Sequence, residues 1–283
     1  MEKDLVTFVI SLHVSRVRFK KLPLDNSSPF SRPFLNLWWQ LFLRDLRARY
    51  KQTVLGVLWG LGRPVLELVV FAIVFGQVLR VPSDDAPYPL FVYTGIVMWT
   101  FVAGALPRAT ESLVNHAGLV ANLPFPKATV PLAAAGAALF DALLAGSLLT
   151  IAMIFYRAPV TWHVLWLAPI TVVLVGLVVA LSLILSALNV FYRDIRHFVE
   201  LGVRILFFLT PVVYASSAVP DNLISWYSLN PLVALFDAFR AALIGARTPH
   251  LGSLLYTALV TTALLLTAYL LFTRTEPYFA ESV

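Results

Sequence analysis

The chain has 283 residues, of which 59% are hydrophobic and 13% are charged, and its mean hydropathy is +0.82. This composition excludes a single soluble globular domain, and the absence of cysteine excludes disulfides, thiolate metal sites and cysteine nucleophiles. The net charge of +6 comes from bases confined to a few segments, which indicates membrane orientation and lipid head-group contact and argues against a nucleic-acid partner.

Apolar stretches of spanning length dominate the chain after a polar tail at 1–33 and an amphipathic segment at 34–52. We predict six membrane spans, near 54–79, 89–107, 128–156, 163–190, 197–219 and 250–273. The best bounded stretch, 248–273, has 26 residues with no charged residue other than one histidine. A helix of that length spans roughly 39 Å, which exceeds the roughly 30 Å hydrocarbon core of a bilayer.

Residues 220–247 are apolar but interrupted, among others by Pro220, Pro231 and Gly245. The stretch is too short for two crossings, so we predict a re-entrant hairpin whose turn is satisfied by protein or water. A short tail, 274–283, ends the chain. The predicted fold class is an all-α integral membrane protein with six transmembrane helices, an amphipathic N-terminal interface helix and a re-entrant external hairpin before the last span.

The segment 34–52 has helical periodicity with two different faces. Its apolar face carries Leu35, Trp38, Trp39, Phe42 and Leu46, and its polar face carries Gln40, Arg44, Arg47 and Lys51. Such a helix should lie in the membrane plane, with tryptophans at the head-group boundary and bases near phosphates. Two roles stay open: an anchor for the first span, or a basic surface that also meets an anionic lipid-linked substrate.

Lysine and arginine are distributed asymmetrically around the predicted spans. If the amino terminus is cytoplasmic, 15 of the 21 bases fall on the cytoplasmic side, 4 on the opposite side and 2 within or beside spans. This asymmetry predicts that both termini are cytoplasmic.

Charges within the spans each cost roughly 2.5 to 3.5 kcal/mol at mid-bilayer, so they are expected to have partners. Arg63 and Glu67 are four residues apart, as are Glu200 and Arg204, and each couple is predicted to pair on one helical face. Asp141 has no base within a helical turn, which predicts a hydrogen bond to a neighbouring helix or, as the weaker alternative, a proton-coupling role.

The sequence lacks the motifs of several enzyme classes. It has no G-x-x-x-x-G-K-[ST] phosphate loop, no cluster of acids suited to Mg²⁺ and no Ser/His/Asp arrangement. We therefore expect that the chain is not an enzyme and does not hydrolyse ATP by itself.

Three blocks of sequence carry a resemblance to a known family. They are RDLRARYKQTVLGVLWGLGRP at 44–64, NLPFPKATVP at 122–131, and NVFYRDIRHFVELGVRILFFLTPVVYASSAVP followed by LNPLVALFDAFRAALIG within 189–245. With the ending EPYFAESV, they resemble the permease subunit of type-2 ABC exporters of polysaccharides, the O-antigen, capsule and teichoic-acid permease family. The likeness covers most of the chain after residue 34 and leaves out residues 1–33.

This resemblance implies a homodimer of six-helix subunits around a channel, bound to two cytoplasmic ABC ATPase subunits. ATP and Mg²⁺ would bind the partner, so no cofactor is expected in this chain. The family's coupling helix corresponds to about 111–122, and the second inner loop would add further ATPase contacts. The ATPase-coupling residues expected from the likeness are Glu111, Asn115, His116, Leu119, Arg193 and Asp194.

The resemblance also assigns the external hairpin 220–247 to a gate, with Leu235, Phe236 and Phe239 as gate residues. Within it, the spacing of three residues predicts a pair between Asp237 and Arg240. The first and fifth spans would line the path. Its aromatic lining candidates are Trp59, Phe71, Phe75, Phe207, Phe208 and Tyr214.

The predicted function is a permease subunit for an undecaprenyl-diphosphate-linked polysaccharide in the cytoplasmic (inner) membrane, with membrane lipids as further partners. One alternative is an ABC exporter of drugs or other small molecules. Another is a membrane enzyme that acts on polyprenyl-phosphate sugars.

Overall fold

The computed structural model describes residues 32–50, 58–83 and 86–283, and these residues form helices and turns without a strand. The all-helical fold class is therefore confirmed. The predicted tail at 1–33 lies outside the described residues except for its last two positions, and Lys51 lies outside them as well. The helices are α1 (Arg32–Tyr50), α2 (Leu58–Phe71, continued as a π-helix Ala72–Val78), α3 (Tyr88–Asn115), α4 (Ala117–Asn122), α5 (Thr129–Phe155), α6 (Leu167–Phe191), α7 (Ile195–Phe208), α8 (Asp221–Tyr227), α9 (Pro231–Leu243), α10 (Leu251–Thr275) and α11 (Phe279–Ser282).

Five helical stretches in the described residues are long and apolar enough to cross a membrane. They are Leu61–Val78, Tyr88–Asn115, Thr129–Phe155, Trp162–Phe191 and Leu251–Ser282. They correspond to five of the six predicted spans, because the apolar length required for crossing is visible in sequence. Short helices and turns fill the two ends of the bundle.

Helix α3 is the central helix, and α2, α5, α6 and α7 pack around it. Its closest partner is α5, which is rich in alanine on the contact face, including the buried Ala138 and Ala145. Small side chains allow two helix backbones to approach closely, which is the usual way to pack helices in a membrane. The hydroxyl of the buried Tyr93 donates to the Ala145 carbonyl at 3.1 Å and joins the two helices.

Helix α1 packs across α5 through its apolar face. The Trp38 and Phe42 rings stack at 5.3 Å, and a Cβ added to Gly136 of α5 would lie 2.9 Å from Trp38 Cζ2. Glycine at this position therefore admits the indole. Leu35 and Trp39 on the same helix remain about half exposed, at 49% and 51%.

The span predicted near 197–219 has a different structure. Its helix, α7, has 14 residues and ends at Phe208, three residues before Pro211, which disfavours helical conformation in the residue before it. From Phe208 onward, side chains donate hydrogen bonds to backbone carbonyls that would accept from backbone N–H groups if the helix continued. Tyr214 donates to the Phe208 carbonyl at 2.8 Å, Asn230 donates to the Leu209 carbonyl at 3.0 Å, and Arg240 donates to the Val212 carbonyl at 2.7 Å.

Helices α8 and α9 are two consecutive short helices within the stretch predicted to be a re-entrant hairpin, and the pair is named here the outer hairpin after that prediction. Asn230 lies at its turn and caps α9 by accepting from the Leu232 backbone N–H at 3.0 Å. Tyr256 of α10 donates to the Leu229 carbonyl at 3.1 Å, so the turn is held by the last long helix. The outer hairpin and α4 lie at opposite ends of the bundle, called the hairpin end and the α4 end.

Candidate functional site

The predicted coupling segment 111–122 is two elements rather than one helix. Helix α3 continues through Glu111 to Asn115, the backbone breaks at His116, and α4 is a separate helix of six residues. Residue His116 contacts Ser112 through Nδ1, at 2.7 Å from its carbonyl oxygen, and contacts Arg44 of α1 through Nε2. The break is thus a corner held by α1 and α3.

The other predicted coupling residues lie around this corner. Asn115 Nδ2 donates to Glu111 Oε2 at 3.4 Å on the last turn of α3. Leu119 of α4 is partly buried against an apolar cluster that includes Val120 and Phe279. The structure therefore brings Glu111, Asn115, His116 and Leu119 to one place, and their role in ATPase contact stays a prediction.

The turn between α6 and α7 lies at the same end of the bundle and contains Arg193 and Asp194. Arg193 Nη2 donates to the Ser282 carbonyl at 3.4 Å, and Asp194 immediately precedes α7. Sequence reasoning did not single out the residues that connect these elements. Glu276 and Phe279 belong to the tail 274–283, whose sequence indicates only a likeness to the family's ending.

Exposed bases of α1 and α3 form a second feature. Arg44 keeps 48% of its side chain exposed and pairs with Asp45 at 3.1 Å, and Arg47 is exposed. Arg108 of α3 pairs with Asp141 of α5 at 3.0 Å, with 41% of the arginine side chain exposed. The expected partner of Asp141 on a neighbouring helix is therefore present, and sequence spacing missed it because the two residues are 33 positions apart.

The ion pairs predicted from helical spacing have different outcomes. Arg63 Nε donates to Glu67 Oε1 at 2.9 Å, which confirms that pair. Within the described helix α7, the side chains of Glu200 and Arg204 are exposed and do not form an ion pair. Pairs at this spacing are worth only about 0.2 to 0.5 kcal/mol on an exposed helix, so spacing permits them without enforcing them.

Three of the aromatic lining candidates meet between α2 and α7. The Phe71 ring lies 5.9 Å from Phe75 and 5.7 Å from Phe207, and Phe207 lies 5.4 Å from Trp99 of α3. Trp99 was missed because its facing cannot be read from sequence. The Phe208 side chain is 64% exposed.

The remaining two lining candidates are Tyr214 and Trp59. Tyr214 is partly buried at the turn after α7, with its ring 6.3 Å from that of Tyr227 in the outer hairpin. The side chain of Trp59 lies outside the described residues. The lining role of all six aromatic candidates stays a prediction.

The predicted gate residues lie on α9 in the outer hairpin. Leu235 and Phe236 are buried within this chain, at 0% and 1% exposed, and Phe239 packs against the same core. Their gate role stays a prediction. On the adjacent α8, the exposed residues include three large apolar side chains, Leu223, Ile224 and Trp226, beside the polar Asp221, Asn222 and Ser225.

Arg240 is a buried base at the hairpin end and ties three elements together. Besides the Val212 carbonyl, its Nε donates to Thr94 Oγ1 of α3 at 3.2 Å, and its guanidinium lies 3.8 Å from the centroid of the Phe91 ring. Its predicted partner Asp237 accepts from Ser216 Oγ at 2.6 Å. Arg240 thus holds α9, the turn after α7 and the start of α3 in one arrangement.

Comparison with known proteins finds sequence similarity along most of this chain. A family model described as ABC-2 type transporter matches residues 36–244. An O-antigen export system permease protein RfbA of Myxococcus xanthus is 29% identical over 86% of this chain and 94% of its own length. A protein of the same name from Klebsiella pneumoniae is 32% identical over 70% of this chain and 76% of its own.

A more distant relative widens the range of cargo named among similar proteins. The polysialic acid transport protein KpsM of Escherichia coli is 21% identical over 78% of this chain and 86% of its own length. The family model alone spans well over half of the residues. This chain therefore belongs to the ABC-2 type transporter family of membrane proteins.

Proposed function

We propose that this chain is the permease subunit of an ATP-driven exporter that moves a lipid-linked polysaccharide of the O-antigen type across the cytoplasmic membrane. The similarity to an O-antigen export permease over 94% of that protein's length carries the proposal. The carrier is proposed to be undecaprenyl diphosphate. The sequence contains no phosphate loop, so ATP hydrolysis is assigned to a separate partner, with ATP and Mg²⁺ bound there.

The proposed assembly contains two copies of this chain and two ATPase subunits. Helix α4 and the turn after α6 both contact residues 276–283 at one end of the bundle, which makes that end a suitable docking face. We assign the α4 end to the cytoplasm, together with both termini, because most of the bases fall on this side of the spans. Helices α2 and α7 leave apolar side chains exposed, including Val70 and Ile205, and a channel between two copies would lie along them.

The crossing predicted near 197–219 is proposed to consist of α7 and the turn that follows it. Ile195 lies at the α4 end, whereas the Val213 carbonyl accepts from the Tyr88 hydroxyl at 2.7 Å at the hairpin end. The chain between these residues therefore extends from one end of α3 to the other. Counted with the five long helical stretches, it completes six crossings, and the outer hairpin then enters the membrane from outside.

The gate is proposed to form where the two outer hairpins meet. Because Leu235 and Phe236 are buried in their own chain, α9 would act as the fixed base of the gate. The exposed apolar residues of α8, such as Ile224 and Trp226, would meet the second copy. Helix α1 is proposed to lie in the membrane plane, with Leu35 and Trp39 in the lipid and the bases Arg44 and Arg47 at phosphates.

Reconstitution tests this function against its alternatives. Vesicles that contain this chain and its ATPase are expected to move a lipid-linked polysaccharide only when ATP is supplied, and vesicles with the chain alone are expected to move none. A fluorescent lectin on the far side of the membrane measures the cargo. Glycosyl or phosphate transfer by the chain alone would instead support a membrane enzyme, and ATP-driven movement of small drugs without polysaccharide would support a drug exporter.

Single cysteine probes test the orientation in a chain that has no native cysteine. Probes at the exposed Asn222 and Ser228 of the hairpin end are expected to react with a membrane-impermeant maleimide added outside intact cells. Probes at the exposed Asn115 and Glu281 of the α4 end should react only after the cells are opened. Labelling of Asn222 solely from the cytoplasm would refute the proposed orientation and the external position of the gate.

A further inference from the structure

The chain ends in a short segment, residues 276–283, that returns onto the α4 end of the bundle. Glu276, directly after α10, accepts through Oε1 from the Lys127 backbone N–H at 2.6 Å. Lys127 lies in the turn between α4 and α5 and is 149 positions away. This first contact holds the turn that follows α4 against the C-terminal end of α10.

The second contact is apolar and deeply buried. Phe279 is 0% exposed, and its ring lies 5.2 Å from Phe272 of α10 and 5.9 Å from Phe191 of α6. The buried Val120 of α4 belongs to the same cluster, and α4 packs against α11. Burial of this much apolar surface stabilises the position of Phe279 between α4, α6 and α10.

The third contact reaches the other loop at this end. The Ser282 carbonyl accepts from Arg193 in the turn between α6 and α7 at 3.4 Å, a longer hydrogen bond than that of Glu276. The segment therefore touches both loops that the family resemblance assigns to ATPase contact. It is the element that lies between them.

Helix α4 has six residues, too few to be stable on its own, so its position depends on contacts with other elements. At its start, the corner at His116 is held by Arg44 and Ser112. Val120 within α4 packs in the same apolar cluster as Phe279. In the turn after α4, the Lys127 backbone N–H donates to Glu276. Besides the chain that leads into α5, a displacement applied to α4 can therefore reach the long helices through the corner and through the C-terminal segment.

We propose that residues 276–283 are a mechanical link that transmits movement of α4 to α10 and to the turn before α7. The inference rests on the proposed function, because it requires an ATPase that displaces α4. Glu276 and Phe279 act as positioning residues within this link. Loss of the link leaves the ATPase bound and active, but its movement no longer reaches the helices that open the path.

The test uses the complete complex in vesicles and measures ATP hydrolysis and polysaccharide export in the same sample. Phe279→Ala is expected to reduce the export per ATP hydrolysed by about tenfold, equivalent to about 1.4 kcal/mol of coupling. Phe279→Leu keeps an apolar side chain at the buried position, so it should retain most of the native ratio of export to ATP hydrolysis. Phe155→Ala, at a phenylalanine that is 80% exposed at the other end of α5, is the matched control.

The hydrogen bond gives a second pair of variants that does not disturb the core. Glu276→Gln keeps a side-chain oxygen that accepts from the Lys127 N–H, so its ratio should stay close to that of the native chain. Glu276→Ala removes the acceptor and should lower the ratio. A purely structural role would lower the amount of complex, and both rates with it, while the ratio stays unchanged.

The outcomes separate this inference from the function on which it rests. If the native chain binds no ATPase, the proposed function fails. If the complex forms and exports but Phe279→Ala and Glu276→Ala both keep the native ratio, the link is refuted. Should Phe279→Ala fail to assemble, Glu276→Ala decides alone, and a native ratio there also refutes the link.

Discussion

Replacement of Gly95 with alanine is expected to lower the stability of the protein and to abolish export. A Cβ at this position would lie far inside van der Waals contact with the Val212 carbonyl oxygen and 2.7 Å from Arg240 Nη2. The first of these neighbours is a backbone atom and the second belongs to a buried, hydrogen-bonded guanidinium. Moving either of them to make room for the methyl group would cost free energy. Overpacking of this kind costs about 1 to 3 kcal/mol and occasionally more. Thermal unfolding in detergent should show a midpoint lowered by roughly 5 °C or more.

Gly202→Ala is the control for this substitution. Gly202 lies on the exposed side of α7, and a Cβ there would meet nothing within 4 Å. The control should unfold at or slightly above the native temperature, because alanine favours a helix by about 1 kcal/mol over glycine. Native stability and export in Gly95→Ala would show that the contact between α3, Arg240 and the turn after α7 is not required.

Simultaneous replacement of Arg44, Arg47 and Lys51 with glutamine is expected to lower export by at least about tenfold while the protein still inserts. Insertion depends on the apolar spans, which the substitutions leave intact. Each base near an anionic lipid surface is worth about 1 kcal/mol, so three together could account for about 3 kcal/mol of attraction to a diphosphate head group. Export per molecule in the membrane is the quantity to measure.

Three exposed bases at the other end of the bundle provide the control: Arg80, Arg157 and Arg247. Their replacement with glutamine removes the same formal charge and should leave export unchanged. If the first triple variant exports at the native rate, helix α1 serves only as an anchor for the chain. Equal losses in both triple variants would indicate a general effect of charge.

Local patterns were sufficient to predict five of the six spans and one of the ion pairs. The last span, predicted at 250–273, is the helix Leu251–Thr275. The pair between Arg63 and Glu67 follows from a spacing of four residues within one helix. The span follows from the length of one apolar helix relative to the thickness of the bilayer, and the ion pair follows from the geometry of one helical turn. Both therefore depend only on residues that are neighbours in the sequence.

The interruption of the fifth predicted span illustrates what local patterns miss. The apolar run continues beyond Phe208, but the helix ends there and distant side chains bind its free carbonyls. Arg240 is one of these, at 28 positions from Val212. A stretch that is apolar enough to span can therefore be broken when polar groups from elsewhere in the chain satisfy its backbone.

The sequence by itself determined the membrane class, five of the six predicted spans and the family resemblance, since these depend on composition and on residues close together in the chain. Only the tertiary structure decided the partner of Asp141, the corner at His116 and the seat of Phe279. Each depends on contacts between helices that are far apart in sequence. The packing of helices such as α3, α5 and α10 determines which side chains come into contact. Spacing within one helix carries no information about that packing.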